Sequence, residues 1–210
     1  MKLISLLIFV IAFNLHAEES KWYDKFSMSG DFRYRHERKD EGSNPYKTQR
    51  DRIRVRLKSD VKVEENLNFI FRASTNQDDI TSRNQSLDDG GKSKEYAIDM
   101  AYGDYQYAEH NSVLFGKMAN PLYLPGKESF VFDTDWTPEG ISFKGKFAKD
   151  SLTFFYSASS FWFQKGEAVS EVKLYAPQVG VTLKSGNMKV TAGAGYYHSS
   201  QVSKELQRLI

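Results

Sequence analysis

A chain of 210 residues with 27% charged residues, a formal charge of +2 and a mean hydropathy of −0.56 is long enough for one domain and too polar on average for a bundle of membrane helices. The near-neutral balance gives no support to nucleic-acid binding. The absence of cysteine excludes a disulfide framework, a thiolate nucleophile and a cysteine-based zinc site.

At the N-terminus, Lys2 precedes an apolar run from Leu3 to Leu15, with Ala17 as a cleavage point. The run is too short for a spanning helix of about 20 residues and reads as a secretory signal peptide covering 1–17. Its removal takes away one lysine and no acid, so the charge of +2 falls by one to +1. Trp22 and Tyr23 follow, just before the first regular segment, as interfacial anchors.

From residue 26 the chain alternates. Over 26–37, Phe26, Met28, Phe32, Tyr34 and His36 share one face; Ser27, Ser29, Asp31, Arg33, Arg35 and Glu37 share the other. Over 50–63 the pattern sharpens: Arg50, Arg52, Arg54, Arg56 and Lys58 stand opposite Ile53, Val55 and Leu57. A period of two is a strand period, and spacings of three and four are absent. Further strands are expected at 66–75, 95–107, 112–118, 139–147, 151–162, 171–184 and 188–197. In 66–75, Leu67, Phe69, Phe71 and Ala73 share a face, which leaves Arg72 on the other. In 139–147, Ile141, Phe143 and Phe147 oppose Ser142, Lys144 and Lys146. Around 98–107 the apolar face changes from Ile98, Met100 and Tyr102 to Tyr105 and Tyr107, which marks a bulge.

Long connections (38–49, 76–94, 119–138, 163–170) alternate with short turns near Glu65-Asn66, Glu109-His110, Lys149-Asp150 and Gly186-Asn187. Outer-membrane barrels show this asymmetry, with short periplasmic turns and long outer loops. The expected fold class is therefore all-β, an antiparallel transmembrane β-barrel of which about nine strands are present.

The chain also resembles the Putative porin family of Gram-negative outer membranes over most of its mature length. The residues that carry the resemblance are Gly30-Asp31-Phe32-Arg33-Tyr34-Arg35, the Arg50-Asp51-Arg52-Ile53-Arg54 ladder, Asn76-Gln77-Asp78-Asp79 with Asn84-Gln85-Ser86-Leu87-Asp88-Asp89, Gly116-Lys117-Met118-Ala119-Asn120-Pro121, and Asp133-Thr134-Asp135-Trp136-Thr137-Pro138-Glu139-Gly140. The resemblance implies an outer-membrane barrel, in contact with lipid and lipopolysaccharide, whose water-filled lumen passes small hydrophilic solutes; such barrels often form homotrimers. It also implies a closing aromatic strand, whereas this sequence ends Gln207-Arg208-Leu209-Ile210. Residues 18–197 are accordingly expected to be roughly the first half of a porin, an incomplete barrel, and 198–210 a polar tail.

Arg33, Arg35, Arg50, Arg52, Arg54, Arg56, Lys58, Arg72, Lys144 and Lys146 are the expected pore-lining cations. The plainer reading is a solvated face whose arginines pair with Asp31, Glu37, Asp60 and loop acids. Lipid is excluded as their surroundings, since each arginine at midplane costs about 2–4 kcal/mol. The connection 119–138, carrying Asp133 and Asp135 and followed by Glu139, would fold inward as a constriction, or stay outside as a loop stiffened by Pro121, Pro125 and Gly126. The pairs Asp78-Asp79 and Asp88-Asp89 lack the spacing of a calcium loop, and no metal or other cofactor is expected. His36, His110 and His198 sit in no nucleophile motif, so no catalytic residue is assigned. Phe154, Phe155, Tyr156, Phe161, Trp162 and Phe163 are expected as girdle aromatics. A soluble periplasmic β-sheet that binds a ligand and a barrel enzyme acting on lipid or peptide are the competing functions.

Overall fold

The structure, a computed structural model, describes residues 22–39, 48–76, 82–87, 90–125, 132, 133, 135–166 and 169–201. The proposed signal peptide, the Asp78-Asp79 and Asp88-Asp89 pairs and the tail beyond 201 lie outside the described residues. A 3-10 turn (Trp22–Lys25) leads into twelve strands: β1 (Phe26–Lys39), β2 (Thr48–Glu64), β3 (Leu67–Thr75), β4 (Gln85–Ser86), β5 (Tyr96–Ala108), β6 (Asn111–Lys117), β7 (Glu139–Lys149), β8 (Leu152–Gly166), β9 (Val169–Tyr175), β10 (Gln178–Ser185), β11 (Met188–Gly195) and β12 (His198–Ser199). Every pairing is antiparallel, in the order β1-β2-β3-β5-β6-β7-β8-β10-β11. The sheet is open: β1 and β11 stand at its two ends and do not pair with one another.

Two of the long strands are interrupted. Pro177, which has no N–H to give to the ladder, separates β9 from β10. β8 spans both halves, pairing through Leu152–Ser157 with β10 and through Ser160–Gly166 with β9. Tyr196 and Tyr197 divide β11 from β12 in the same way, and His198 and Ser199 pair with Tyr175 and Leu174. The connection expected at 163–170 is therefore largely strand, since β8 runs on to Gly166 and β9 starts at Val169. At the opposite end the turns are tight, with His110, Asp150 and Gly186 taking the left-handed backbone that two-residue reversals use.

Because directly paired residues share a face, the registers define two surfaces. One carries Phe32, Val55, Leu57, Phe71, Ala101, Phe115, Ile141, Phe143, Phe154, Val181 and Val190. Its large side chains are open: Phe32 is 69% exposed, Met28 67% and Val179 61%. The outward rings fall in two rows. Near the tight turns, Phe147 stacks on Phe154 at 4.9 Å and the hydroxyls of Tyr107 and Tyr156 are hydrogen-bonded at 2.5 Å. Toward the other end lie Tyr34, Tyr96, Trp162, Tyr175 and Tyr196. On β8, Phe154 and Trp162 are eight positions apart, about 27 Å along an extended strand and about 20 Å of height at a tilt of ~40°, close to the ~25 Å apolar band of outer-membrane barrels. The aromatic residues of β8 expected as girdle residues are divided between the two faces. Phe154, Tyr156 and Trp162 face out, whereas Phe155, Phe161 and Phe163 alternate to the inner face, where Phe161 is fully buried.

The bulge lies in β5, lower in sequence than the change of face suggested. Arg72 pairs with Met100 but Ala73 pairs with Ile98, so Asp99 is the extra residue. Ile98 thus shares the outer face with Tyr105, while Met100 and Tyr102 face in. The insertion turns Asp99 inward too, where it is 2% exposed.

The buried apolar cluster lies on the inner side of the sheet. Leu114, Phe161, Leu174 and Ala176 receive Met118, Leu122, Phe132 and Trp136 from the connection between β6 and β7. Trp136 stacks on Phe132 at 4.9 Å and meets Phe161 edge-on at 5.2 Å. Phe132 and Trp136 turn inward because the sheet's apolar partners lie there.

Candidate functional site

Arg33, Arg35, Arg50, Arg52, Arg54, Arg56 and Lys58 all project from the inner face of β1 and β2, with Arg33 directly opposite Arg54 and Arg35 opposite Arg52. Arg72 joins them from β3 through its pairing with Lys58. Like charges placed directly across a ladder repel, and carboxylates are set among them. Asp31 Oδ1 accepts hydrogen bonds from Arg54 Nε at 3.2 Å and Nη2 at 3.0 Å, and its Oδ2 accepts from Arg56 Nε at 2.6 Å. Glu37 accepts from Arg50 Nε at 2.6 Å, lies 3.8 Å from Arg52 Nη1 and also pairs with Arg35. Lys58 pairs with Asp60 at 2.8 Å.

Two connections reach across this wall. From 132–138, the Asp135 carboxylate comes within 3.5 Å of Arg54 and 3.6 Å of Arg56. Its position is held from both sides: Asp133 Oδ1 accepts the Asp135 N–H at 2.7 Å, and the next residue is the buried Trp136. From 82–86, Asn84 accepts a hydrogen bond from Arg33 through its side chain and from Arg52 through its carbonyl, the latter at 2.9 Å. Gln85 and Ser86 then pair with Ile53 and Arg52 as β4.

The bulge residue Asp99 ties the two connections to the sheet. Its Oδ2 accepts from Arg72 Nε at 2.6 Å and its Oδ1 from Arg83 Nε at 2.5 Å, while Arg83 Nη2 donates to Thr137 Oγ1 at 3.0 Å. A buried carboxylate with two guanidiniums is a strong, directional clamp, and breaking it would leave buried charge uncompensated.

A family model described as Putative porin matches residues 43–209. The chain belongs to that family. Among solved structures, OmpF of Salmonella typhi, in a complex with daunomycin, is similar at a TM-score of 0.42 and 9% identity over 82% of this chain; the match spans 65% of the OmpF chain, less than two thirds of its length. No curated protein sequence matches.

The remaining residues singled out from the sequence of this porin-family chain fall elsewhere. Lys144 and Lys146 face inward from β7, opposite Ser157 and Phe155 of β8, away from the arginines. Glu139 is not brought to the arginine wall: it pairs with Lys117 at 3.1 Å, in the register that puts Ile141 opposite Phe115 on the outer face. Asp133 orders the turn and does not touch an arginine among the described contacts. His36 Nδ1 meets Asp51 at 2.8 Å on the outer face, where Asp51 also accepts from Tyr34 at 2.6 Å. No group of three or more His, Asp or Glu able to hold a metal ion occurs among the described residues.

Arg83, Asn84, Asp99 and Thr137 are the inner-face residues that sequence reasoning missed. Three of them lie outside the long regular strands, where no period gives a side chain its direction. Asp99 was hidden by the bulge, and only the reversal of face near it hinted at an extra residue.

Proposed function

We propose that the chain forms a porin-type channel of the outer membrane, a passive, non-enzymatic path for small hydrophilic solutes. The observation that carries this reading is the segregation of the sheet's faces. A soluble sheet buries its apolar side, whereas here the apolar side is the exposed one, bounded by two rows of rings, and the arginine ladder lines the other. Such a surface in water is an aggregation hazard; in lipid it is a matched band.

On this reading Arg33, Arg35, Arg50, Arg52, Arg54, Arg56, Lys58 and Arg72 form one lumenal wall, and the 119–138 connection narrows the lumen by presenting Asp135 to it. Charges of opposite sign then face each other across the narrowing, which orients dipolar solutes. The balance favours anions modestly. Asp31 and Asp135 match Arg54 and Arg56, but Glu37 serves Arg35, Arg50 and Arg52 together.

The test is planar-bilayer recording on the purified full chain, with membrane association checked by a high-salt wash. Stepwise conductance from a protein that needs detergent for release supports the channel. A protein that washes off in salt and gives no steps would instead be the ligand-binding β-sheet protein.

A further inference from the structure

We infer that the inner wall around Lys144 and Lys146 is a binding station for small organic anions that join a carboxylate to a ring. The inference rests on the lumenal reading of this face. Every cation of the arginine wall except Arg33 has a carboxylate against it. Lys144 and Lys146, two positions apart on β7 and so on one face, have no ion-pair or side-chain hydrogen-bond partner among the described residues. Their neighbours in register are Ser112, Ser157 and Phe155, none of which carries charge.

Beside them is a cavity of about 300 Å³ whose lining includes His110, Pro121, Leu122, Tyr123, Phe155 and Ser157 as well as the two lysines. Its roof is fixed: the Tyr123 N–H donates to Gln178 Oε1 at 2.8 Å, and Gln178 Nε2 donates to the Tyr123 carbonyl at 3.3 Å. The Tyr123 ring lies 4.6 Å from that of Phe155 at a tilt of 34°. Mostly apolar walls with a few convergent polar groups are what small-molecule sites have. Apolar lining selects a ring, and two unneutralised ammoniums select an oxyanion. The arginines attract anions as fixed wall charge, whereas this cavity offers a second, shape-dependent contact.

The experiment measures equilibrium binding by calorimetry on the full chain folded in detergent, using benzoate as probe, acetate as anion without a ring and benzamide as ring without charge. The expected result is saturable binding of benzoate, at least about tenfold tighter than either control. Lys144→Gln with Lys146→Gln should weaken it about tenfold or more, and so should Tyr123→Ala, while Arg54→Ser with Arg56→Ser leaves it within about threefold. Equal affinity for benzoate and acetate overturns the station, as does insensitivity to the lysine and Tyr123 changes. Heat-dependent mobility in electrophoresis identifies variants that fail to fold, and the Tyr123→Ala result then decides. Binding without bilayer conductance would remove the channel reading and keep the site; conductance without benzoate binding would do the reverse.

Discussion

Asp135 and Arg54 meet across the inner face at 3.5 Å although one lies on a connection and the other in the middle of a strand. The same carboxylate reaches Arg56 at 3.6 Å, and both arginines also hold Asp31. Asp135 is thus the one charge in this group that the connection supplies. Asp135→Asn removes it without changing shape, and reversal potentials in asymmetric salt should move toward anions. An unshifted potential would mean that Asp135 does not face the conducting path.

Arg52, Arg54 and Arg56 are the converse case. Replacing all three with Ser should move the reversal potential toward cations and weaken its dependence on ionic strength, because fixed wall charge acts over a Debye length of about 10 Å at 0.1 M salt. If selectivity is unchanged while conductance persists, the arginine wall does not line the lumen.

The clamp at Asp99 is a matter of stability. With Arg72 and Arg83 both bound to one buried carboxylate, Asp99→Ala takes that shared counter-charge from both guanidiniums and should destabilise the fold by about 3–5 kcal/mol. Urea titration of the detergent-folded chain, followed by tryptophan emission, measures this, since Trp136 sits in the cluster that the clamp holds closed. A midpoint equal to that of the unsubstituted chain would show that the clamp is not needed.

Faces can be tested by paired substitutions on one strand. Phe71 points outward between Ser59 and Ala101, and Asn68 points inward between Lys62 and Asp104. Phe71→Arg should cost about 2–4 kcal/mol of folding into vesicles, and Asn68→Arg much less. Equal costs would argue against a lipid-facing apolar side.

Gly103 reports on packing of the outer face. Phe115 lies flat across it, so that an added Cβ would stand 2.3 Å from the ring. Gly103→Ala should therefore displace the ring and cost about 1–3 kcal/mol, measured by the same urea titration. Phe115→Ala in the same chain should relieve most of that penalty; independent, additive losses would show that the two do not touch.

Residues 50–58 made the strand and its two faces legible because a period of two is a local property: each side chain's direction follows from its neighbours along the chain. The same logic located the long strand stretches, two of which the structure divides, and the tight turns at one end, while the connection expected at 163–170 is largely strand. It failed where direction is set by something far away. On β8 the aromatic run Phe154 to Phe163 reads as one cluster, yet alternate rings go to outward and inner positions, and Phe161 is covered by a cluster that includes Trp136 from another segment. Asp99 faces inward because a bulge inserts one residue against β3, a feature of pairing between strands. The inward course of 132–138, the meeting of Asp135 with Arg54 and the clamping of Arg83 by Asp99 are contacts between segments distant in sequence. By itself, then, the sequence determined strand identity, polarity of faces and the cationic wall. Which acids answer those cations, and which connection crosses them, was decided by tertiary structure alone, because connections carry no periodicity and go where their buried side chains find partners.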